Sequence, residues 1–149
     1  MTEFDITIAQ PEDAVSLLPM VRALAAFHGD VPEVTEQDLH RDLSDGWLYG
    51  LVARCENRPL GYALLTPQAQ AQYGARGMDL HHLYVEQNQR GHGVGSALIA
   101  SAEALTVARG GSYLIIGAEA GNIAAQRFYL SHGYETRASS GQRFRKNLP

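Results

Sequence analysis

The sequence predicts an α/β fold of the α+β kind: one mixed, mostly antiparallel central sheet with helices on both faces. Three observations carry this. Segments of period-2 and period-3.6 apolar spacing follow one another in the order β-α-α-β-β-β-α-β-α-β-β. That order is not a regular βαβ repeat, so the sheet must mix antiparallel and parallel neighbours. A glycine turn, Arg90-Gly91-His92-Gly93-Val94-Gly95, joins a strand to the most regular helix of the chain.

Taken in order, Ile6 and Ile8 alternate with Asp5 and Thr7 and read as a first strand. Pro11-Glu12-Asp13 opens a helix, with proline in its first turn and two acids facing the helix dipole. Val15, Leu18, Val21, Ala25 and Ala26 keep helical spacing, Pro19 marks a kink or break, and the helix ends near His28-Gly29. Thr35-Glu36-Gln37-Asp38 resembles a capping box and starts a second helix that Asp45-Gly46 stops. Residues 47–55 and 60–66 are a strand pair around the turn 56–59, the second strand ending at Pro67. Residues 68–76, polar and alanine-rich, read as a loop, and 77–85 as the next strand. Residues 91–109 form a helix with Val94, Leu98, Ala102 and Leu105 as its apolar stripe, closed by Gly110-Gly111. Residues 112–117 form a buried strand, Asn122 caps a helix over 123–132, and 134–138 and 142–146 are a final strand pair around Ser139-Ser140-Gly141.

A chain of 149 residues with 45% hydrophobic content fits one domain, 1–149, with a single core. No apolar run reaches the length of a membrane span, and Met1-Thr2-Glu3-Phe4-Asp5 has neither the basic nor the apolar part of a signal peptide. Cys55, the single cysteine, has no internal disulfide partner. These features fit a cytoplasmic protein without a membrane partner. Residues 1–75 hold 11 acidic and 4 basic side chains, a net of −7, whereas residues 76–149 hold 5 acidic and 8 basic, a net of +3. The second half is thus suited to an anion and the first to a neutral or cationic molecule, unless the charges serve only solubility. Nucleic-acid binding is not expected, because no dense basic stripe with interleaved aromatics occurs.

The glycine turn exposes backbone N–H groups at a helix start, a natural phosphate site, and Arg90 adds a positive charge beside it. Its surroundings are specific: Leu83-Tyr84-Val85, four connecting residues, Arg90-Gly91-x-Gly93-x-Gly95-Ser96-x-Leu98, a helix, a strand, then Asn122 and Phe128-Tyr129-x-x-x-Gly133-Tyr134. This combination resembles the GCN5-related N-acetyltransferase (GNAT) superfamily, and within it the small-amine group that includes diamine acetyltransferases. The resemblance implies a sheet splayed at its middle, with acetyl-CoA as cosubstrate, no metal, a small-molecule amine acceptor and a homodimer. It implies that pantetheine runs along residues 81–85, bonding backbone at Leu83 and Val85 beside Tyr84. The pyrophosphate would meet Arg90, Gly91, His92, Gly93, Val94, Gly95 and Ser96, with Asn122, Ala125 and Arg127 lining the rest. Gln87 stands where the family often has proline. His81 and His82 stand where the small-amine relatives carry acids, so an acidic base does not carry over. The 142–148 tail is also similar to aminoalkylphosphonate acetyltransferases, which leaves the acceptor class open.

Direct attack of an amine on a thioester requires loss of an ammonium proton and delivery of one to the leaving thiolate. By the resemblance, Tyr129 is the acid toward the thiolate; the alternative is a tyrosine that only packs. His81 is the candidate base or water relay, because a histidine titrates near neutrality. Strand alternation puts His81 with Leu83 and Val85, and His82 with Tyr84 on the other face. His82 is the second candidate, and a packing role is the alternative for both. His28 is expected to line the acceptor site with His81 and His82, and Glu33, Glu36 and Asp38 to attract a cationic amine, unless they are merely solvated. Cys55 reads as a small buried residue, and His40, His92 and His132 as surface residues. His81-His82 finds no third ligand at metal spacing. A dinucleotide fold is disfavoured because Ser96 replaces the third glycine of G-x-G-x-x-G and the turn starts six residues past Val85. A P-loop is excluded by the absence of Gly-Lys-Ser/Thr. A non-catalytic acyl-CoA sensor on the same fold stays open.

Overall fold

A computed structural model describes residues 3–138 and 141–149. The chain divides into two compact units, Met1–Gly117 and Ala118–Pro149.

The first unit holds five strands, β1 Asp5–Ile8, β2 Tyr49–Cys55, β3 Arg58–Gln70, β4 Ala75–Val85 and β5 Tyr113–Ile116, and three helices, α1 Ala14–Phe27, α2 Glu36–Asp45 and α3 Val94–Ala108. The sheet order is β1-β2-β3-β4-β5. The first three pairings are antiparallel and β4–β5 is parallel, as the mixed, mostly antiparallel reading requires.

Cross-strand register sorts the sheet into two faces. Val52, Tyr62 and Tyr84 stand opposite one another, as do Leu51, Ala63 and Leu83. Val52, Tyr62, Leu64 and Tyr84 pack with Leu17, Met20 and Val21 of α1 and Leu39 of α2. Leu51, Ala63 and Leu65 alternate to the other face, and Val94, Leu98, Ile99 and Ala102 of α3 are buried as α3 crosses β2, β3 and β4. Full burial of such side chains supplies about 2 kcal/mol each.

Local chemistry explains the helix ends. A short 3-10 turn, Pro11–Asp13, leads into α1. Thr35 Oγ1 accepts from the Asp38 N–H at 3.1 Å while the Asp38 carboxylate accepts from the Thr35 N–H at 2.9 Å, so the capping box is complete. Gly46 (φ 77°) then ends α2.

Several expectations are corrected. Pro19 does not break α1. Both Pro19 and Val15, whose carbonyl loses its helical donor, lie on the exposed face, where water can satisfy it. Trp47 precedes β2 and is exposed. Pro67 does not end β3, and residues 68–76 are not a loop: pairing continues through Pro67↔Met78 to Gln70↔Ala75 and closes over a 3-10 turn at Ala71–Tyr73. The β2 pairing stops at Leu65, so Pro67 lacks an N–H only where β3 is an edge. The same protrusion explains the polar composition, since alternate residues from Pro67 onward meet solvent. The helix expected over 91–109 starts at Val94.

The second unit holds α4, Ile123–Ser131. Asn122 Oδ1 accepts from the Ala125 N–H at 3.2 Å, as its capping role predicts. No strand forms over 134–138 or 141–146, and Ser139 and Ser140 lie outside the described residues. The alternation there has no sheet within its own unit to bury against, and Phe144 is 91% exposed. Among the described residues, no helix is long and apolar enough to cross a membrane.

Candidate functional site

The decisive local feature is an irregularity in β4. Leu64 pairs with His82, but Leu65 pairs with Leu80, so His81 is an extra residue with no partner on β3. A bulge of this kind sends two consecutive side chains to one face. Leu80 and Leu83 stay on the α3 face, and His81 and His82 both fall on the α1 face. Their rings stack at 4.3 Å between centroids with 16° between planes. The alternation that separated His81 from His82 is thereby overturned.

Tyr62 of β3 completes this cluster. Its side chain is fully buried, and its hydroxyl lies 3.1 Å from His82 Nδ1. Tyr84 packs against the Tyr62 ring at 5.9 Å and donates its hydroxyl proton to Glu86 Oε2 at 3.2 Å. Burial, then repulsion from His81 and His28, lowers the His82 pKa to about 4, so the ring is neutral at pH 7. His28, the residue that caps the C-terminus of α1, thus joins the field of the two β4 histidines. Burial, followed by the neighbouring Tyr84, pushes the Tyr62 hydroxyl well above its ordinary value. The sequence gives Tyr62 no motif; only the β3–β4 register reveals it.

Past the bulge, β4 loses β5, whose pairing ends at Leu80↔Ile116. The Glu86 N–H donates to Leu60 O at 2.8 Å, so by antiparallel alternation the polar backbone groups of Leu83 and Val85 face away from β3. These are the two residues expected to bond pantetheine, and they face the side where β4–β5 pairing has stopped. Arg90 Nε donates to the Val85 carbonyl at 2.9 Å, and its guanidinium lies 5.9 Å from the Tyr84 ring centre. Arg90 therefore ties the turn to the strand end as well as adding charge. His92 is exposed, as expected, and its Nδ1 lies 3.3 Å from Gln89 O; Gln89 is a buried polar residue that the motif alone did not single out.

The turn itself is open. Gly91 (φ 80°) and Gly93 (φ 86°) adopt the left-handed conformation, and a Cβ added to either would meet nothing within 4 Å. Backbone conformation, not crowding, requires glycine there. Val94, Gly95 and Ser96 form the first turn of α3, where helix geometry provides no internal acceptor for N–H groups. This arrangement fits an anion approaching the helix start.

Within the second unit, Asn122 and Ala125 are joined by the cap, Arg127 is exposed, and Tyr129 is half-buried with its ring 5.8 Å from Phe128. Burial raises the Tyr129 pKa, which keeps its hydroxyl protonated near neutrality. His132 is not a surface residue as expected: it is part-buried, with Nδ1 2.7 Å from Phe128 O and its ring edge-on to Phe128. Cys55 is half-buried. Asp38 is committed to the Thr35 cap and to Arg41, and those bonds hold its carboxyl below the ordinary range, with the Thr35 N–H as the largest cause. Among the described residues, no group of three or more His, Cys, Asp or Glu side chains is arranged to hold a metal ion.

Comparison with known proteins bears on the family and the fold. Residues 18–134 match the model of the Acetyltransferase (GNAT) family. No curated protein matches the sequence significantly. Among solved structures, an aminoglycoside acetyltransferase from an uncultured soil metagenomic sample, in complex with sisomicin, superposes with a TM-score of 0.82 at 18% identity, covering 96% of this chain and 97% of that one. A ribosomal-protein-alanine N-acetyltransferase from Brucella melitensis biovar Abortus 2308 gives 0.77 at 21% identity, covering 97% and 100%. An integron cassette protein from the mobile metagenome of V. cholerae gives 0.80 at 23% identity, covering 99% and 95%. At such identities the likeness shows the fold. The family match, spanning most of the chain, shows more: the protein belongs to the GNAT acetyltransferase family.

Proposed function

We propose that the protein is an N-acetyltransferase that moves an acetyl group from acetyl-CoA to a primary amine of a small molecule by direct attack in a ternary complex. The observation that carries this is the open turn Gly91–Gly93 leading into α3, beside a β4 end whose Leu83 and Val85 backbone faces away from β3. Backbone N–H groups from Gly91 to Ser96, with Arg90, His92 and Val94 in the same turn, hold the pyrophosphate. Leu83 and Val85 bond the pantetheine amides beside Tyr84, and Asn122, Ala125 and Arg127 take up the remainder of CoA. The acetyl group arrives with acetyl-CoA, and no metal is required.

The amine nitrogen forms a bond to the acetyl carbon as the carbon–sulfur bond breaks. His81, exposed at the bulge, removes the ammonium proton directly or through water. The protonated Tyr129 hydroxyl delivers a proton to the leaving thiolate, consistent with its raised pKa. A backbone N–H at the β4 end stabilises the oxyanion. His28 and His82 line the acceptor side. Aminoglycoside and ribosomal-protein amines are acceptors of similarly folded proteins, so a protein N-terminus is the second acceptor class. The assay is CoA release with a panel of amines at saturating acetyl-CoA. Acceptor-dependent release supports transfer; acetyl-CoA binding without release from any amine means a sensor. Tyr129→Phe should lower kcat by roughly 100-fold, within the usual range for a general acid, and leave acetyl-CoA affinity unchanged. Unaltered kcat removes Tyr129 from the mechanism.

A further inference from the structure

The β4 bulge gathers an unusual set of groups on the α1 face of the first unit. Three histidines act there, His28 from the end of α1 and His81 and His82 from β4. Both His81 and His28 act electrostatically on His82. On the same strand end, the Glu86 carboxylate accepts from the Tyr84 hydroxyl.

The Tyr62–His82 hydrogen bond then fixes which way the imidazole is protonated. Tyr62 is fully buried in an apolar cluster of Val52, Leu64, Tyr84 and α1 side chains. Its hydroxyl proton needs an acceptor, and His82 Nδ1 stands 3.1 Å away. If Nδ1 carried the proton instead, the hydroxyl proton would be left in apolar surroundings at a cost of a lost buried hydrogen bond. Tyr62 therefore donates, Nδ1 accepts, and the single imidazole proton sits on Nε2. His82 is only partly buried, and with Nδ1 engaged by Tyr62, Nε2 is the ring nitrogen left for an outside partner. His82 thus offers a fixed N–H donor, and the stacked His81 ring lies beside it.

We propose that His82, oriented by Tyr62, is the specificity-determining residue for the acceptor, and that its Nε2–H binds an anionic oxygen group, carboxylate or phosphonate, carried by the amine substrate. A fixed N–H donor favours such a group, whereas it offers a second ammonium no acceptor. Tyr62 is the positioning residue. The inference rests on the acetyl-transfer reading and narrows its acceptor to amines bearing an anionic oxygen group.

The test compares four amines at saturating acetyl-CoA: 4-aminobutyrate, 3-aminopropylphosphonate, butylamine and 1,4-diaminobutane. The expected result is a kcat/KM for the carboxylate or the phosphonate that exceeds those of butylamine and the diamine by roughly tenfold or more, the scale of one charge-assisted hydrogen bond. The better of the two anionic amines identifies the oxygen group. His82→Leu should abolish the preference through KM, His82→Gln, which keeps an amide donor, should restore part of it, and Tyr62→Phe should weaken it with butylamine KM unchanged. Thermal melting with acetyl-CoA checks that each variant folds. Preference for the diamine or butylamine, or equal KM changes for all four amines in the variants, overturns the inference and leaves acetyl transfer standing. CoA release with no amine at all, while acetyl-CoA still binds, overturns the transfer reading itself, and the inference with it.

Discussion

Acidification should destabilise the protein through His82 before most carboxylates titrate. The unfolded chain takes up a proton on this side chain near 6.5, the folded protein only near about 4. Between those values the unfolded state binds more protons, so stability falls as pH falls. The contribution is complete above the unfolded value and is lost as pH drops through the folded one. A full shift of that size corresponds to about 3 kcal/mol. By about pH 5 about 2 kcal/mol of it would be gone without screening. The ring is partly exposed, so solvent reduces the loss to about 1 kcal/mol. Urea unfolding at constant ionic strength, from about pH 8 down to about pH 5, measures the loss directly. In His82→Gln, whose amide oxygen can still accept the Tyr62 proton, the slope through this window should flatten. A stability profile that is flat in the native protein, or His82 ring protons that titrate near the ordinary histidine value by NMR, would refute the reasoning.

Gly61→Ala should be severe, because its Cβ would lie 2.5 Å from the Tyr84 carbonyl oxygen and 3.2 Å from Val85 Cα, both backbone. Parting β3 from β4 there should remove about 2–4 kcal/mol in urea unfolding and raise the acetyl-CoA KM as well. Gly93→Ala meets open space, so only left-handed backbone strain of about 1–2 kcal/mol is expected, with weaker acetyl-CoA binding by calorimetry. Thr35→Ala removes one half of a complete capping box and should lower unfolding free energy by about 1 kcal/mol with kcat unchanged.

The helices and the glycine turn were legible in the sequence because their signals are local. Thr35 and Asp38 are three residues apart and satisfy each other, and Asn122 caps α4 by itself. The elements misread are those whose state is set by distant partners. Pro67 looks like a strand terminator until β2 is known to have ended at Leu65. Residues 68–70 look like a loop because their hydrogen-bond partners, 75–77, carry no apolar face. Alternation over 134–138 and 142–146 looks like strands, yet among the described residues that unit holds no sheet to receive them. Of the candidate site, His28, His81 and His82 were expected from the resemblance and from strand position, but Tyr62, whose hydroxyl lies 3.1 Å from His82 Nδ1, emerges only when β3 is laid beside β4.

The inserted residue in β4 is what makes two neighbouring histidines act as a unit. In a regular strand His81 would face α3 beside Leu83, and His82 alone would touch Tyr62. With one extra residue, Leu80 and Leu83 both keep their buried or half-buried places on the α3 face, and the surplus side chain is turned to the α1 face. The same insertion coincides with the point where β5 stops pairing, so the Leu83 and Val85 backbone and the histidine pair lie side by side along β4. Pairing the same sequence without the bulge would restore alternation, but it would also shift residues 75–80 by one against β3 and β5. Met78 and Leu80, now buried, would exchange faces with half-exposed Asp79. The bulge is therefore held in place by the hydrophobic pattern on both sides of it, and the placement of the two histidines follows from that pattern.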